Sequence, residues 1–78
     1  MPIVEILGPG CANCRKLEAV TREAAAAAGV QADIRKVKDI VDIVSYGLTA
    51  TPGLVIDGKL VCSGRIPSLA EVQSWLRA

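Results

Sequence analysis

Histidine is absent from this 78-residue sequence. With it go the commonest zinc ligand and the side chain that most often serves as a general base near neutral pH. Proton handling falls instead to carboxylates, lysines, thiols and water. Clustered positive charge is missing too: nine Lys and Arg are set against eight Asp and Glu, for a net charge of +1. That balance argues against nucleic acid or an acidic membrane surface as partner, because both are held by concentrated basic residues. No apolar run approaches the roughly 18 residues a membrane-spanning helix requires. Met1-Pro2 leads straight into an apolar stretch with no basic region before it, unlike a signal peptide. A soluble, cytoplasmic protein is the expectation. Cysteine is scarce, and the count of three is odd, which is poor material for a structural disulfide framework. In a reducing compartment a C-x-x-C pair is catalytic or metal-binding. Aromatic residues are nearly lacking, and the single Tyr46 and Trp75 read as packing residues.

What is present is enough for one core. With 51% hydrophobic residues, residues 1–78 make a single compact domain, of a size that buries about 60% of the surface its unfolded chain exposes. Ile3-Val4-Glu5-Ile6-Leu7 reads as a strand, followed by the turn Gly8-Pro9-Gly10. A helix over about residues 12 to 28 follows, with Cys14, Leu17, Thr21, Ala24, Ala25 and Ala28 at helical spacing and Gly29 as terminator. The five consecutive alanines favour the helix and let it lie close to a sheet. Residues 31–37 predict an outer parallel strand reached by a right-handed crossover. Asp39 caps a second helix carrying Ile40, Val41, Ile43 and Val44 and ending near Tyr46-Gly47. Gly53-Leu54-Val55-Ile56 and Leu60-Val61-Cys62-Ser63 flank Asp57-Gly58-Lys59, and Asp-Gly suits a type I′ hairpin turn. Ser68-Leu69-Ala70-Glu71 has capping-box spacing, and Leu69, Val72, Trp75 and Leu76 form the buried face of a last helix. The element order is β-α-β-α-β-β-α.

Chemistry concentrates in Gly10-Cys11-Ala12-Asn13-Cys14, at the handover from the first strand to the first helix. A thiol in the first turn of a helix faces unpaired backbone N–H groups and the positive end of the helix dipole, which favour thiolate over thiol. A second thiol three residues on can close a disulfide on it. Cys62, far along the chain, reads as an inert core or edge thiol. Arg15 and Lys16 flank the pair as a solvated face that raises the local positive potential.

The element order with C-x-x-C at the first strand-to-helix junction resembles the thioredoxin fold in its minimal, glutaredoxin-sized form, over essentially the whole chain. The phrases Gly10-Cys11-Ala12-Asn13-Cys14 and Thr51-Pro52-Gly53-Leu54-Val55-Ile56 look like the small archaeal and bacterial redox-active disulfide proteins of that superfamily. The resemblance implies an α/β protein with a four-stranded mixed sheet, two helices on one face and one on the other. It implies a cis proline at Pro52 that leaves the Thr51 backbone free to pair with an extended substrate. Gly10, Ala12 and Asn13 complete the implied substrate contacts. The implied activity is thiol–disulfide exchange, with Cys11 attacking and Cys14 resolving. Glu5 falls six residues before Cys11, where thioredoxins place a buried Asp that relays protons to the resolving Cys. The competing expectation is that Glu5 reaches solvent or pairs with Lys16 or Lys59.

The pattern departs from the better-known branches. Gly10 replaces the Trp usual in thioredoxins, and Ala12-Asn13 replaces Gly-Pro. The Lys and the Gly-Gly-Asp with which glutaredoxins hold glutathione are replaced by Gly8-Pro9-Gly10 and Ser63-Gly64-Arg65-Ile66, against glutathione as the obligate partner. The expected partners are a disulfide-containing protein and a reductase or dithiol donor, acting on a monomer without a bound organic cofactor. Two alternatives use the same cysteines: a carrier of Cu(I) or Zn(II), and a thiol-switch adaptor without turnover.

Overall fold

A computed structural model describes residues 2–48 and 50–77. Met1, Ala78 and Thr49, the residue two before Thr51, lie outside them. The elements are β1 (Ile3–Leu7), α1 (Ala12–Ala27), β2 (Asp33–Val37), α2 (Ile40–Ser45), β3 (Gly53–Ile56), β4 (Lys59–Ser63) and α3 (Leu69–Arg77). This is the expected order. The four strands form one sheet in the order β2-β1-β3-β4, with β1 parallel to β2 and both remaining pairs antiparallel. The fold is therefore the thioredoxin-like α/β arrangement with a mixed sheet.

Alternation along the strands sorts the core into two layers. Val4 and Ile6 of β1, with Leu54 and Ile56 of β3, pack under Leu17, Ala24 and Ala25 of α1 and Val72 and Leu76 of α3. Leu7 and Val55 point the other way, against Ile43 of α2 and Leu48. Two helices thus cover one face and one covers the other. Ala24 and Ala25 are both buried, and their small side chains let α1 lie close to the sheet. Thr21, buried in the same stripe, donates its hydroxyl to the Leu17 carbonyl at 2.7 Å, so no polar group is stranded there.

Local signals explain the element ends. Asp57 (φ 50°) and Gly58 (φ 82°) form the tight turn between β3 and β4, both in the left-handed region that a type I′ turn requires. Asp39 caps α2, its carboxylate accepting from Val41 N–H at 2.9 Å. Ser68 and Glu71 form the reciprocal capping box of α3: Glu71 N–H donates to Ser68 Oγ at 3.2 Å, and Ser68 N–H donates to Glu71 Oε1 at 3.0 Å. Three expectations need adjustment. The outer strand begins at Asp33 rather than residue 31. Leu69 is 36% exposed and lies off the buried face of α3, because it sits in the first residue of that helix. On α2 only Ile43 is buried, and Ile40, Val41 and Val44 are 63%, 72% and 60% exposed. No helix among the described residues is long and apolar enough to cross a membrane.

Glu71 also takes a two-point contact from Arg65, at 2.8 and 3.1 Å. The Arg65 guanidinium, followed by the Ser68 N–H, lowers the Glu71 carboxyl from an ordinary 4.5 to about 2. A folded-state pKa below the unfolded one contributes stability above the unfolded value, and that stability is lost as pH falls through the folded value. Glu71→Gln should therefore lower the thermal midpoint at neutral pH, and the gap from the wild type should close as pH falls from 4.5 to about 2. Thermal melts by circular dichroism across that range check it.

Candidate redox site

Strand β1 delivers the chain to the site. At its end Leu7 pairs with Val37 of β2 and with Gly53 of β3. The residues that continue beyond that register, Gly8 onward, Lys38, and the Thr51–Pro52 step that precedes β3, therefore gather at one end of the sheet. The chain turns at Gly10, whose φ of 95° suits glycine because a Cβ disfavours that region. Cys11 is then the N-cap of α1, and the Cys14 N–H donates to Cys11 Sγ at 3.2 Å. One otherwise unsatisfied donor of the helix start is thus directed at the first sulfur.

Cys11 and Cys14 are joined as a disulfide across the first turn of α1, with their Cα atoms 5.0 Å apart. The two ends of the bond differ. Cys11 is exposed, whereas Cys14 is 5% exposed and lies over the backbone at Gly8. A Cβ at Gly8 would overlap Cys14 Sγ, so the strand must be bare there. Gly8 itself is tied to the outer strand through its N–H to the Val37 carbonyl at 3.0 Å.

The other expected contacts fall as follows. Ala12 and Asn13 are exposed in the first turn of α1, beside exposed Gly10. The Thr51–Pro52 peptide is cis, Pro52 is buried and Thr51 is exposed. The Pro52 carbonyl accepts from Gly64 N–H at 2.9 Å, which fixes the start of β3 against the end of β4. The structure thus brings Gly10, Cys11, Ala12, Asn13, Cys14, Thr51 and Pro52 to one end of the sheet.

Glu5 is not part of this group. Alternation on β1 sends Val4, Ile6 and the Gly8 position toward α1, and Glu5 and Leu7 toward α2. Both Glu5 carboxylate oxygens accept from the Tyr46 hydroxyl, at 2.8 and 2.9 Å. That bond raises the tyrosine pKa above its ordinary value, since losing the proton would leave two negative groups in contact. The sheet therefore lies between Glu5 and Cys14, and the expected relay is corrected. Glu5 is half-exposed, and the partner its carboxylate takes is Tyr46 in place of the expected Lys16 or Lys59. Tyr46 otherwise packs with Ile43 and Leu48, and Trp75 packs against the α1 and α3 layer. Cys62 is a buried free thiol whose Sγ donates to the Arg65 carbonyl at 3.6 Å, and burial raises its pKa.

One feature escaped the sequence reading. On the β2 side of the disulfide lies a cleft of about 150 Å³ floored by Ile6, Gly8 and Cys14. Its walls bring Arg15 and Glu18 of α1 together with Lys36 and Lys38. Lys36 carried a signal, since it has the parity of Ile34 on β2 and so shares the α1 face with Ile6, its neighbour in register. Among the described residues, no group of three or more Cys, Asp or Glu side chains converges as a metal site would require.

Two outcomes follow from this placement. Glu5→Gln should leave the pH profile of thiol–disulfide exchange unshifted, as read by stopped-flow rates from pH 5 to 9, roughly the span of thiol titration. Gly8→Ala should lower stability by about 1–3 kcal/mol, the usual cost of an extra methyl in a packed site, and denaturant unfolding of the oxidised protein checks it.

The chain is similar to known proteins over most of its length. The family model of the thioredoxin domain matches residues 3–77. A protein named Thioredoxin from Methanothermobacter thermautotrophicus is 44% identical over 73 residues, covering 94% of this chain and 95% of its own. A second, also named Thioredoxin, from Methanocaldococcus jannaschii, is 32% identical over 78 residues, covering 100% of this chain and 90% of its own.

Proposed function

This chain belongs to the thioredoxin family, and we propose that it is a protein-disulfide oxidoreductase working through a two-cysteine cycle. The observation that carries this reading is the asymmetry of the disulfide, with exposed Cys11 at the helix N-cap and buried Cys14 one turn deeper.

In the reduced protein the Cys11 thiolate attacks one sulfur of a substrate disulfide. A bond forms between Cys11 Sγ and that sulfur, the substrate S–S bond breaks, and the departing thiolate takes a proton from solvent. The Cys14 N–H aimed at Cys11 Sγ favours negative charge there. Cys14 then loses its proton and attacks Cys11 Sγ, which forms the Cys11–Cys14 bond and releases the second substrate thiolate. Two electrons and two protons have passed from the dithiol to the substrate. A reductase or small dithiol donor must return them. The exposed edge at Thr51 supports binding of an extended substrate, and exposed Gly10, Ala12 and Asn13 frame the attacking sulfur. The protein works as a monomer in a reducing, cytoplasmic setting and needs no organic cofactor. Glutathione is not its obligate partner, since the residues in the glutaredoxin positions differ.

The cycle is tested with a disulfide-bonded protein substrate and excess dithiol donor. Cys11→Ser should reduce the catalysed rate on the order of 10³-fold or more, as loss of a nucleophile does. Cys14→Ser should instead halt after the first step and leave a covalent adduct visible by intact mass. A Cys11→Ser variant that retains turnover would refute the assignment.

A further inference from the structure

The cleft beside the disulfide has a charge arrangement that the exchange chemistry does not use. Three cations line it, Arg15, Lys36 and Lys38, against one carboxylate, Glu18. Glu18 is already committed: Oε2 accepts from Arg22 at 2.9 Å and Oε1 faces Lys36 Nζ at 3.2 Å. Arg22 and then Lys36 hold its carboxyl below the ordinary value, so it stays ionised and paired. Arg15 and Lys38 take part in no ion pair among the described residues. Arg15 is oriented by one long contact, Nη1 to the Gly10 carbonyl at 3.3 Å. The result is an uncompensated positive rim set between Gly10, the buried Cys14 and the end of β2.

We propose that this rim is a recognition site for a carboxylate of the substrate protein, an Asp or Glu close in chain to the cystine that Cys11 attacks. The proposal rests on the oxidoreductase reading and names the substrate class within it. Three observations favour that occupant. A space of about 150 Å³ fits one acidic side chain, whereas cofactor and drug-sized pockets run from about 300 to 1,000 Å³. A guanidinium and an ammonium converging on one space match a single carboxylate, with the planar fork of Arg15 as the directional donor. Two unpaired cations are too few to track a nucleic-acid backbone, where binding grows with the number of phosphates neutralised. The position also suits the chemistry. Arg15 N–H donates to the Cys11 carbonyl at 3.1 Å, so the rim begins one turn from the attacking residue. A substrate docked with its disulfide at Cys11 brings its flanking side chains over it.

The test uses the reduced full-length chain and three disulfide-bridged peptides identical but for the residues flanking the cystine, which are Asp, Asn or Lys. Second-order reduction rates are measured at about 20 mM salt and at about 1 M, where the screening length is about 3 Å. The Asp peptide should be favoured over the Lys peptide by about tenfold at low salt, the lower end of electrostatic steering, and the preference should fade at high salt. Reading the Asp-to-Lys ratio against variants of altered charge cancels the flank's own effect on cystine reactivity. Lys38→Glu and Arg15→Gln should each pull the ratio toward or below one. Lys59→Glu makes the same charge change as Lys38→Glu beside the β3–β4 turn, at the opposite end of the sheet, and should leave the ratio near the wild-type value. A wild-type ratio at low salt no higher than that of Lys38→Glu, or one that Lys38→Glu and Lys59→Glu reduce equally, overturns the carboxylate site. If the wild type reduces none of the peptides, the Asn peptide included, the oxidoreductase reading fails and the site falls with it. Reduction of all three at equal rates refutes the site alone.

Discussion

Everything at the redox end of this molecule depends on how closely α1 sits on the end of β1. The Cys14 sulfur rests where a side chain at Gly8 would have to be, and Gly8 is held to the outer strand by its own backbone hydrogen bond. That contact fixes the depth of the second sulfur. Cys11, one helical turn earlier, must then emerge at the surface as the N-cap. Exposure of one sulfur and burial of the other are thus consequences of a single close approach. Farther along, buried Ala24 and Ala25 keep the same helix near the sheet without bulk. A larger residue at either end would lift α1 and change the relation between the two thiols.

The sheet also divides the charges. Glu5 and Tyr46 form a hydrogen-bonded pair on the α2 side, while Glu18 and Lys36 form an ion pair on the α1 side beside Cys14. These groups are near each other in projection yet separated by the backbone of β1. The charged groups that line the space beside the buried thiol therefore come from the crossover strand and the active-site helix, while the carboxylate of the central strand bonds to Tyr46 on the opposite face. This explains how the chain carries an acidic residue within β1 without directing it at the disulfide.

Much of this architecture was legible because its signals are local. Asp57-Gly58, Asp39 and the Ser68/Glu71 pair each act within four residues, and each does what its type dictates. The C-x-x-C junction and the Thr51–Pro52 step were equally readable, one from its place between strand and helix and the other through family resemblance. The side of Glu5 was misjudged because counting six residues back from Cys11 ignores the alternation of the strand. Counting faces from Gly8 gives the α2 side. The exposed apolar residues of α2 and the exposed Leu69 show the limit of helical periodicity on short helices, where six or nine residues offer more apolar positions than one packed face can cover. The cationic cleft was out of reach for another reason. Arg15 and Lys38 are 23 positions apart and meet only through the register of β1 against β2.

The central claim is that Cys11 and Cys14 form the redox centre. Its most direct test is a titration of the metal-free protein against defined dithiothreitol ratios, with alkylation and mass spectrometry locating each free thiol and Cys62→Ser as control. The account predicts one reversible two-electron step confined to Cys11 and Cys14, between roughly −200 and −300 mV, the span that holds thioredoxin and the glutaredoxins. The absence of any reversible step for that pair, with the reduced protein instead binding one soft metal ion tightly, would contradict it.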